Sequence, residues 1–243
     1  MRIAKRSMTS DAAILADQYL AAMYRHIYTL LATSVEHVGK NGPIVEIGAG
    51  PGFAKLFADD IVTADIEPSD NVDICLDATR LPFQTESIAG LLMKDSLHHI
   101  PQVELFFDEA QRVLIDDGLV AVVDPYWGFL ARLVYKYIHQ ERYDATAPTW
   151  SFDSSSPWDS NQALSYLLLS RDRAAFERRW PCFEIVEHGP LLGPSFLLSG
   201  GVSRRTIVSG RLLASLFAWE NRQGAWMNPL RFEYFFTLRK RPR

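Results

Sequence analysis

Apolar positions recur at helical spacing near the start of the chain, at Ile14, Leu15, Tyr19, Met23, Ile27, Leu30 and Leu31. They predict an amphipathic helix that starts at Ser10-Asp11 and runs up to Gly39. From Ile44 to Val123 the rhythm changes. Short β-branched runs at Ile61–Ala64, Ile88–Met93 and Leu119–Val123 alternate with helical stretches such as Val103–Val113, the pattern of crossover units that build a parallel sheet. The stretch from Gly52 to Ile61 has room for roughly two helical turns before the next strand. Beyond Asp124-Pro125, the residues Trp127, Leu130, Leu133, Val134, Tyr137 and Ile138 form a wide helical stripe. Residues 144–160, rich in Ser, Asp and Pro, read as irregular chain. Helices are expected over 161–169 and 171–179, then strands over 183–188 and 232–238, with a long connection, 189–230, between the two.

Composition narrows the class. A chain of 243 residues with 48% hydrophobic content suits one α/β domain with a packed core. A net charge of −4 argues against general affinity for nucleic-acid phosphates, which needs a basic face. Arg2, Lys5 and Arg6 have the charges of a leader's first region, but Asp11 and Asp17 interrupt any apolar run after them, and no stretch approaches a membrane span. Cys75 and Cys182 make neither a disulfide framework nor a metal-ligand spacing, so no metal is expected and the cytoplasm is the simplest compartment. The six tryptophans all lie beyond Pro125, which suggests that this half covers a large apolar surface.

The chemistry concentrates at Val45-Glu46-Ile47-Gly48-Ala49-Gly50-Pro51-Gly52-Phe53, read as strand, glycine turn, helix start. Glycines at alternate positions admit a close ligand, and a helix start offers unpaired N–H groups to its polar atoms. A dinucleotide fingerprint needs its third glycine where Phe53 stands, which disfavours nicotinamide or flavin. The acid ending the next strand, Asp65, occupies the place where doubly wound folds hold ribose hydroxyls. Further along come Asp77-Ala78-Thr79-Arg80-Leu81-Pro82-Phe83 and Lys94-Asp95-Ser96-Leu97-His98-His99-Ile100.

In this order and spacing, residues 40–125 resemble the class I S-adenosylmethionine-dependent methyltransferases. The segment at His98-His99 is similar to the branch that includes ubiquinone- and menaquinone-pathway enzymes. The resemblance implies a Rossmann-like, doubly wound sheet of seven strands, mostly parallel with an antiparallel last strand, and helices on both faces. It implies S-adenosylmethionine as cofactor, held by Glu46 near the methionine portion, by Gly48, Ala49, Gly50 and Gly52, by Asp65 on the ribose, by Ile66 on the adenine face, by Asp77 and Ala78 at the adenine amino group, and by Met93 and Lys94. Residues 1–39 are then a helical cover, with 126–182 and 189–230 as acceptor-region insertions in a single domain. Tyr137–Glu141, residues 159–163 and residues 198–203 are similar to a group of bacterial methyltransferases, which implies no particular acceptor.

Methyl transfer to a small, partly apolar molecule is the expected function, with oxygen, nitrogen or carbon as the accepting atom. Asp95, His98, His99, His139 and Glu141 are candidates for a general base, and Tyr126, Trp127 and Trp158 for an acceptor pocket. The bland readings are a packed or capping His98 and His99, a surface ion pair for His139 and Glu141, a turn-forming Asp77, and core tryptophans. A nicotinamide-dependent oxidoreductase or epimerase, and a catalytically silent scaffold of the same fold, are the competing functions.

Overall fold

The computed structural model describes residues 16–38, 41–50, 52–57, 60–156, 158–200 and 208–242. The expected helix start at Ser10 lies outside them. Within them the first helix, α1 (Gln18–Val35), is capped by Asp17, whose carboxylate accepts from the amides of Tyr19 at 2.8 Å and Leu20 at 3.0 Å.

The sheet is built from β1 (Ile44–Ile47), β2 (Ile61–Asp65), β3 (Ile74–Cys75), β4 (Ile88–Lys94), β5 (Leu114–Pro125), β6 (Phe183–Leu191) and β7 (Glu233–Lys240), in spatial order β3-β2-β1-β4-β5-β7-β6. Neighbours from β3 to β5 pair in parallel, and β7 runs antiparallel to both β5 and β6. This is the seven-stranded, mostly parallel architecture expected from the sequence, with the reversed last strand. Because side chains alternate across a strand, Leu91, Met93, Val120 and Val122 pack on one face while Leu92, Ala121 and Val123 pack on the other. The first face is covered by α2 (Val103–Val113), the short helix α4 (Leu164–Tyr166) with the π turn after it, and α5 (Arg173–Arg179). The second is covered by α1 and α7 (Gly210–Glu220), where Tyr19 meets Phe217 edge to face. Two further short helices, α3 (Phe129–Tyr137) and α6 (Pro194–Ser199), lie near the carboxyl end of the sheet.

The crossovers beside β1 are shorter than expected. One 3-10 turn, Phe53–Leu56, follows the glycines in place of roughly two helical turns, and no helix joins β2 to β3 or β3 to β4. Side chains stabilise the links around β2 instead. Asp73 accepts from the Thr63 amide (2.9 Å) and hydroxyl (2.9 Å) and pairs with Lys55. At the opposite edge of the sheet, register matters for function: Pro125 lies opposite Glu233, so the first residue of β7 arrives at the carboxyl ends of β4 and β5.

Candidate active site

The turn after β1 takes its shape from three left-handed glycines, Gly48 (φ 72°), Gly50 (φ 54°) and Gly52 (φ 78°). Their surroundings differ. A Cβ on Gly48 would lie 2.4 Å from that of Ser96, and one on Gly52 would lie 2.5 Å from that of Asn71. At Gly50 it would meet nothing within 4 Å. Two of the glycines thus let chain segments approach, and the middle one opens a cleft.

Asp65 borders this cleft. Its carboxylate accepts from the Gly50 amide at 2.7 Å and the Glu67 amide at 2.9 Å, one bond to each oxygen, which fixes its orientation and leaves lone pairs for a diol. Ile66 beside it is exposed, with 53% of its surface accessible. Asp77 is exposed and uses one carboxylate oxygen to close a turn onto the amide and hydroxyl of Thr79. The turn-forming reading thus describes one of its oxygens. Arg112, paired with Glu109, holds the same segment through the carbonyls of Leu81 and Phe83.

Glu46 lies beneath the glycine turn, 1% exposed. Tyr28 donates to its Oε1 at 2.7 Å, while Oε2 is buried with no hydrogen-bond partner among the described residues. Burial pushes this carboxyl up to about 8 against the hydrogen bond from Tyr28, with Asp65 adding repulsion. An orphaned acidic oxygen under an open glycine cradle suits a ligand that brings a cation to the first and a polar nucleoside to the second. S-adenosylmethionine is such a ligand, so the residues present fit the expected cofactor.

Next to the cleft, at the carboxyl ends of β4 and β5, is a cavity of about 570 Å³. Met23, Tyr24, Val134, Tyr135, Phe196 and Phe232 give it apolar walls. Lys94, Asp95, His98, His99, His139, Glu141, Gln162 and Glu233 give it a polar end. Lys94 forms an ion pair with Asp95, whose backbone is left-handed at φ 52°. Burial disfavours the Lys94 charge, but Asp95 and Glu233 outweigh it and hold the ammonium above its usual range. Glu233 is pushed well above the usual carboxylate range by burial and by the charge on Asp95.

His98 is wholly buried. Its Nδ1 lies 2.7 Å from Asp124 Oδ1, and the other oxygen of Asp124 accepts from Ser165 at 2.8 Å. Burial opposes a charge on His98, yet Asp124 and Glu141 on either side push it up to about 10. His99 is held below its ordinary value by burial and by His98. Glu141 sits between the two imidazoles, 3.6 Å from His98 Nε2 and 3.8 Å from His99 Nε2, and accepts a short hydrogen bond from Gln162. It is therefore a member of a partly buried cluster, in which His139 also favours its charge and accepts from the Glu141 amide at 3.3 Å.

The cavity brings together Lys94, Asp95, His98, His99, His139 and Glu141, and it leaves out three residues expected in an acceptor pocket. Tyr126 stacks on Tyr234 at 5.5 Å and Trp127 meets the same ring at 4.4 Å, so both pack sideways against β7. Trp158 is half-exposed and away from the lining. Trp180, by contrast, is buried against Phe107 and Phe176, the core role that tryptophans more often take. Sequence reasoning did not find Asp124, Gln162, Tyr135 or Glu233 as site residues. Asp124 and Gln162 lie within segments quoted above, whereas Tyr135 and Glu233 follow from tertiary packing alone.

Residues 45–122 match the family profile described as a methyltransferase domain. Solved structures share the fold. A methyltransferase from Archaeoglobus fulgidus described as SAM-dependent is 13% identical with a TM-score of 0.53, covering 89% of this chain and 94% of that one. A geranyl diphosphate C-methyltransferase from Streptomyces coelicolor A3(2), in complex with Mg2+, geranyl diphosphate and S-adenosyl-L-homocysteine, is 13% identical with a TM-score of 0.52, covering 98% and 88%. A geranyl diphosphate methyltransferase in complex with SAM is 16% identical with a TM-score of 0.51, covering 95% and 90%. No curated protein matches the chain. The matched stretch, which contains the glycine turn, Asp65 and Asp77, is similar to methyltransferase domains, and the sheet around it has the fold of these S-adenosylmethionine-binding neighbours.

Proposed function

We propose that the chain methylates a small molecule with an apolar body and a polar head, bound in the cavity at the carboxyl ends of β4 and β5. The observation that carries this reading is that the cavity begins at Lys94, at the end of β4, the strand paired in parallel with β1, whose own end carries Glu46 and the glycine turn. S-adenosylmethionine, when bound, supplies a sulfonium methyl group that is open to in-line attack. The residues of the chain have the task of holding donor and acceptor in near-attack geometry, which can lower such a barrier by roughly 7 to 11 kcal/mol.

In this reading Glu46 meets the cationic methionine portion, Asp65 accepts from the ribose, Ile66 covers the adenine, Asp77 and Ala78 serve the adenine edge, and Gly48, Ala49, Gly52, Met93 and Lys94 complete the cradle. Tyr24, Tyr135, Phe196 and Phe232 enclose the acceptor body. Asp95, His99 and His139 remain the candidate bases, all of them lining the cavity. The segments 126–182 and 189–230 act as acceptor insertions, supplying Tyr135, His139, Glu141, Gln162 and Phe196 to the lining. A pocket of this size suits a small molecule, and the net charge of −4 gives nucleic acid no general attraction. Among the described residues no helix is long and apolar enough to cross a membrane. The cytoplasm is the compartment we propose.

Calorimetric titration of the Asp65→Ala variant tests the donor half. Loss of charged hydrogen bonds should weaken donor binding by about 1 to 3 kcal/mol, and an unchanged dissociation constant would remove Asp65 from the site. For the acceptor half, protein and methyl-labelled donor are mixed with a cell extract. Label should move into the low-molecular-weight fraction, whereas label in nucleic acid or protein would overturn the assignment.

A further inference from the structure

The polar end of the cavity brings together three side chains of the kinds that ligate metals. One ring nitrogen each of His98 and His99 and a carboxylate oxygen of Glu141 all lie within 4.8 Å of one another, and Nε2 of each ring faces Glu141 Oε2. The two histidine-to-glutamate separations, 3.6 and 3.8 Å, are too long for hydrogen bonds. They are close to the ~3.4 Å that separates two ligands each about 2.1 Å from a tetrahedral ion.

The remaining ring nitrogens agree. A metal-bound histidine usually donates its other N–H to a carboxylate or a backbone carbonyl, which fixes the tautomer and turns the free lone pair toward the ion. Here Nδ1 of His98 faces Asp124 Oδ1 at 2.7 Å, and Nδ1 of His99 faces the carbonyl of Asp159 at 3.3 Å. Asp124 is itself held by Ser165. Both rings therefore present Nε2 to the same point from fixed orientations.

We propose that His98, His99 and Glu141 form a divalent transition-metal site at the polar end of the acceptor cavity, with Asp124 as the residue that positions His98. Two imidazoles and one carboxylate favour a first-row ion such as Zn2+, Co2+ or Fe2+ over Mg2+ or Ca2+. Binding replaces any proton on Nε2 of His98, and that proton leaves to solvent. Gln162 shares this space: its side-chain nitrogen lies 3.1 Å from His98 Nε2 and donates to Glu141. Half a turn of the amide presents its oxygen as a further ligand. Coordination positions left by the protein face the cavity, so an acceptor bearing an oxygen would enter beside the ion, and its hydroxyl would ionise more readily there. This last role rests on the methyl-transfer reading, whereas the metal site itself does not.

The test uses the full chain, treated with a chelator and then titrated with Co2+ and Zn2+ alone, without donor or acceptor. Visible absorption of bound Co2+ and calorimetry with Zn2+ should each report one equivalent. His99→Gln and Glu141→Gln should each weaken binding at least tenfold, and Asp124→Asn by about 10- to 100-fold. An unchanged donor affinity in each variant shows that the fold survives. Failure to bind one equivalent, or binding that these substitutions leave unchanged, overturns the site. Donor titration and label transfer are read separately, so such a failure leaves the methyl-transfer reading standing.

Discussion

Burial holds the Glu46 carboxyl up to about 8 even though Tyr28 donates to it, which favours the neutral form in the free protein at pH 7. Between its unfolded value near 4.5 and its folded value near 8, the folded state binds the extra proton. This contribution to stability is thus complete below about pH 4.5 and declines as the pH rises toward 8. A sulfonium and an ammonium reverse the preference, since a cation near Oε2 favours the carboxylate. Donor binding should therefore release close to one proton at pH 7. Apparent affinity should climb by up to about tenfold per pH unit between about pH 5.5 and 6.7, below the range in which the donor's own amine deprotonates. Calorimetry in two buffers of different ionisation enthalpy reads the proton, and Glu46→Gln should abolish both the release and the slope. A slope that persists in the variant would assign the proton elsewhere.

Among the elements, the glycine turn separates folding from binding. Gly48→Ala places a Cβ 2.4 Å from the Ser96 side chain, which is itself tied to the Ile47 carbonyl at 2.8 Å. Left-handed strain and overpacking together should cost about 2 to 4 kcal/mol, read from urea unfolding. Gly50→Ala carries only the left-handed cost of about 1 to 2 kcal/mol, because its Cβ would meet open space. In the proposed reading the donor fills that space, so this variant should keep most of its stability and lose at least tenfold in donor affinity. Equal losses in both properties for both variants would mean that the turn responds as one unit. The turn was legible in the sequence because its spacing is local, as were Asp65 at a strand end and helix Val103–Val113. The direction of Tyr126 and Trp127 was not, because it is decided by Tyr234 on a strand over a hundred residues away. The missing crossover helices beside β2 and β3 were only partly legible, since the chain length there hints at short links without showing that Asp73 replaces them.

For the whole molecule, the two sheet faces carry separate apolar clusters, yet both are built on the same central strands: Leu91 and Met93 contribute to one, Leu92 to the other. Neither layer can be lost without exposing the other side of β4, so the domain should unfold in one transition despite its irregular C-terminal half. A donor held by the ends of β1, β2 and β4 then stabilises the whole unit through mass action. At a hundred times its dissociation constant it should add about 2.7 kcal/mol, which for a domain of this size raises the melting temperature by about 5 to 10 °C. At the same donor concentration Asp65→Ala should show only about a tenth to two-thirds of the shift, because a binding loss of about 1 to 3 kcal/mol lowers the ratio of donor to its dissociation constant. A nicotinamide dinucleotide should produce no shift, since Phe53 fills the place of the fingerprint's third glycine and packs edge to face on Tyr24 at 5.1 Å. Thermal melts with each compound check all three. A shift with the dinucleotide and none with S-adenosylmethionine would move the chain to the oxidoreductase reading, and no shift with either would favour the silent scaffold.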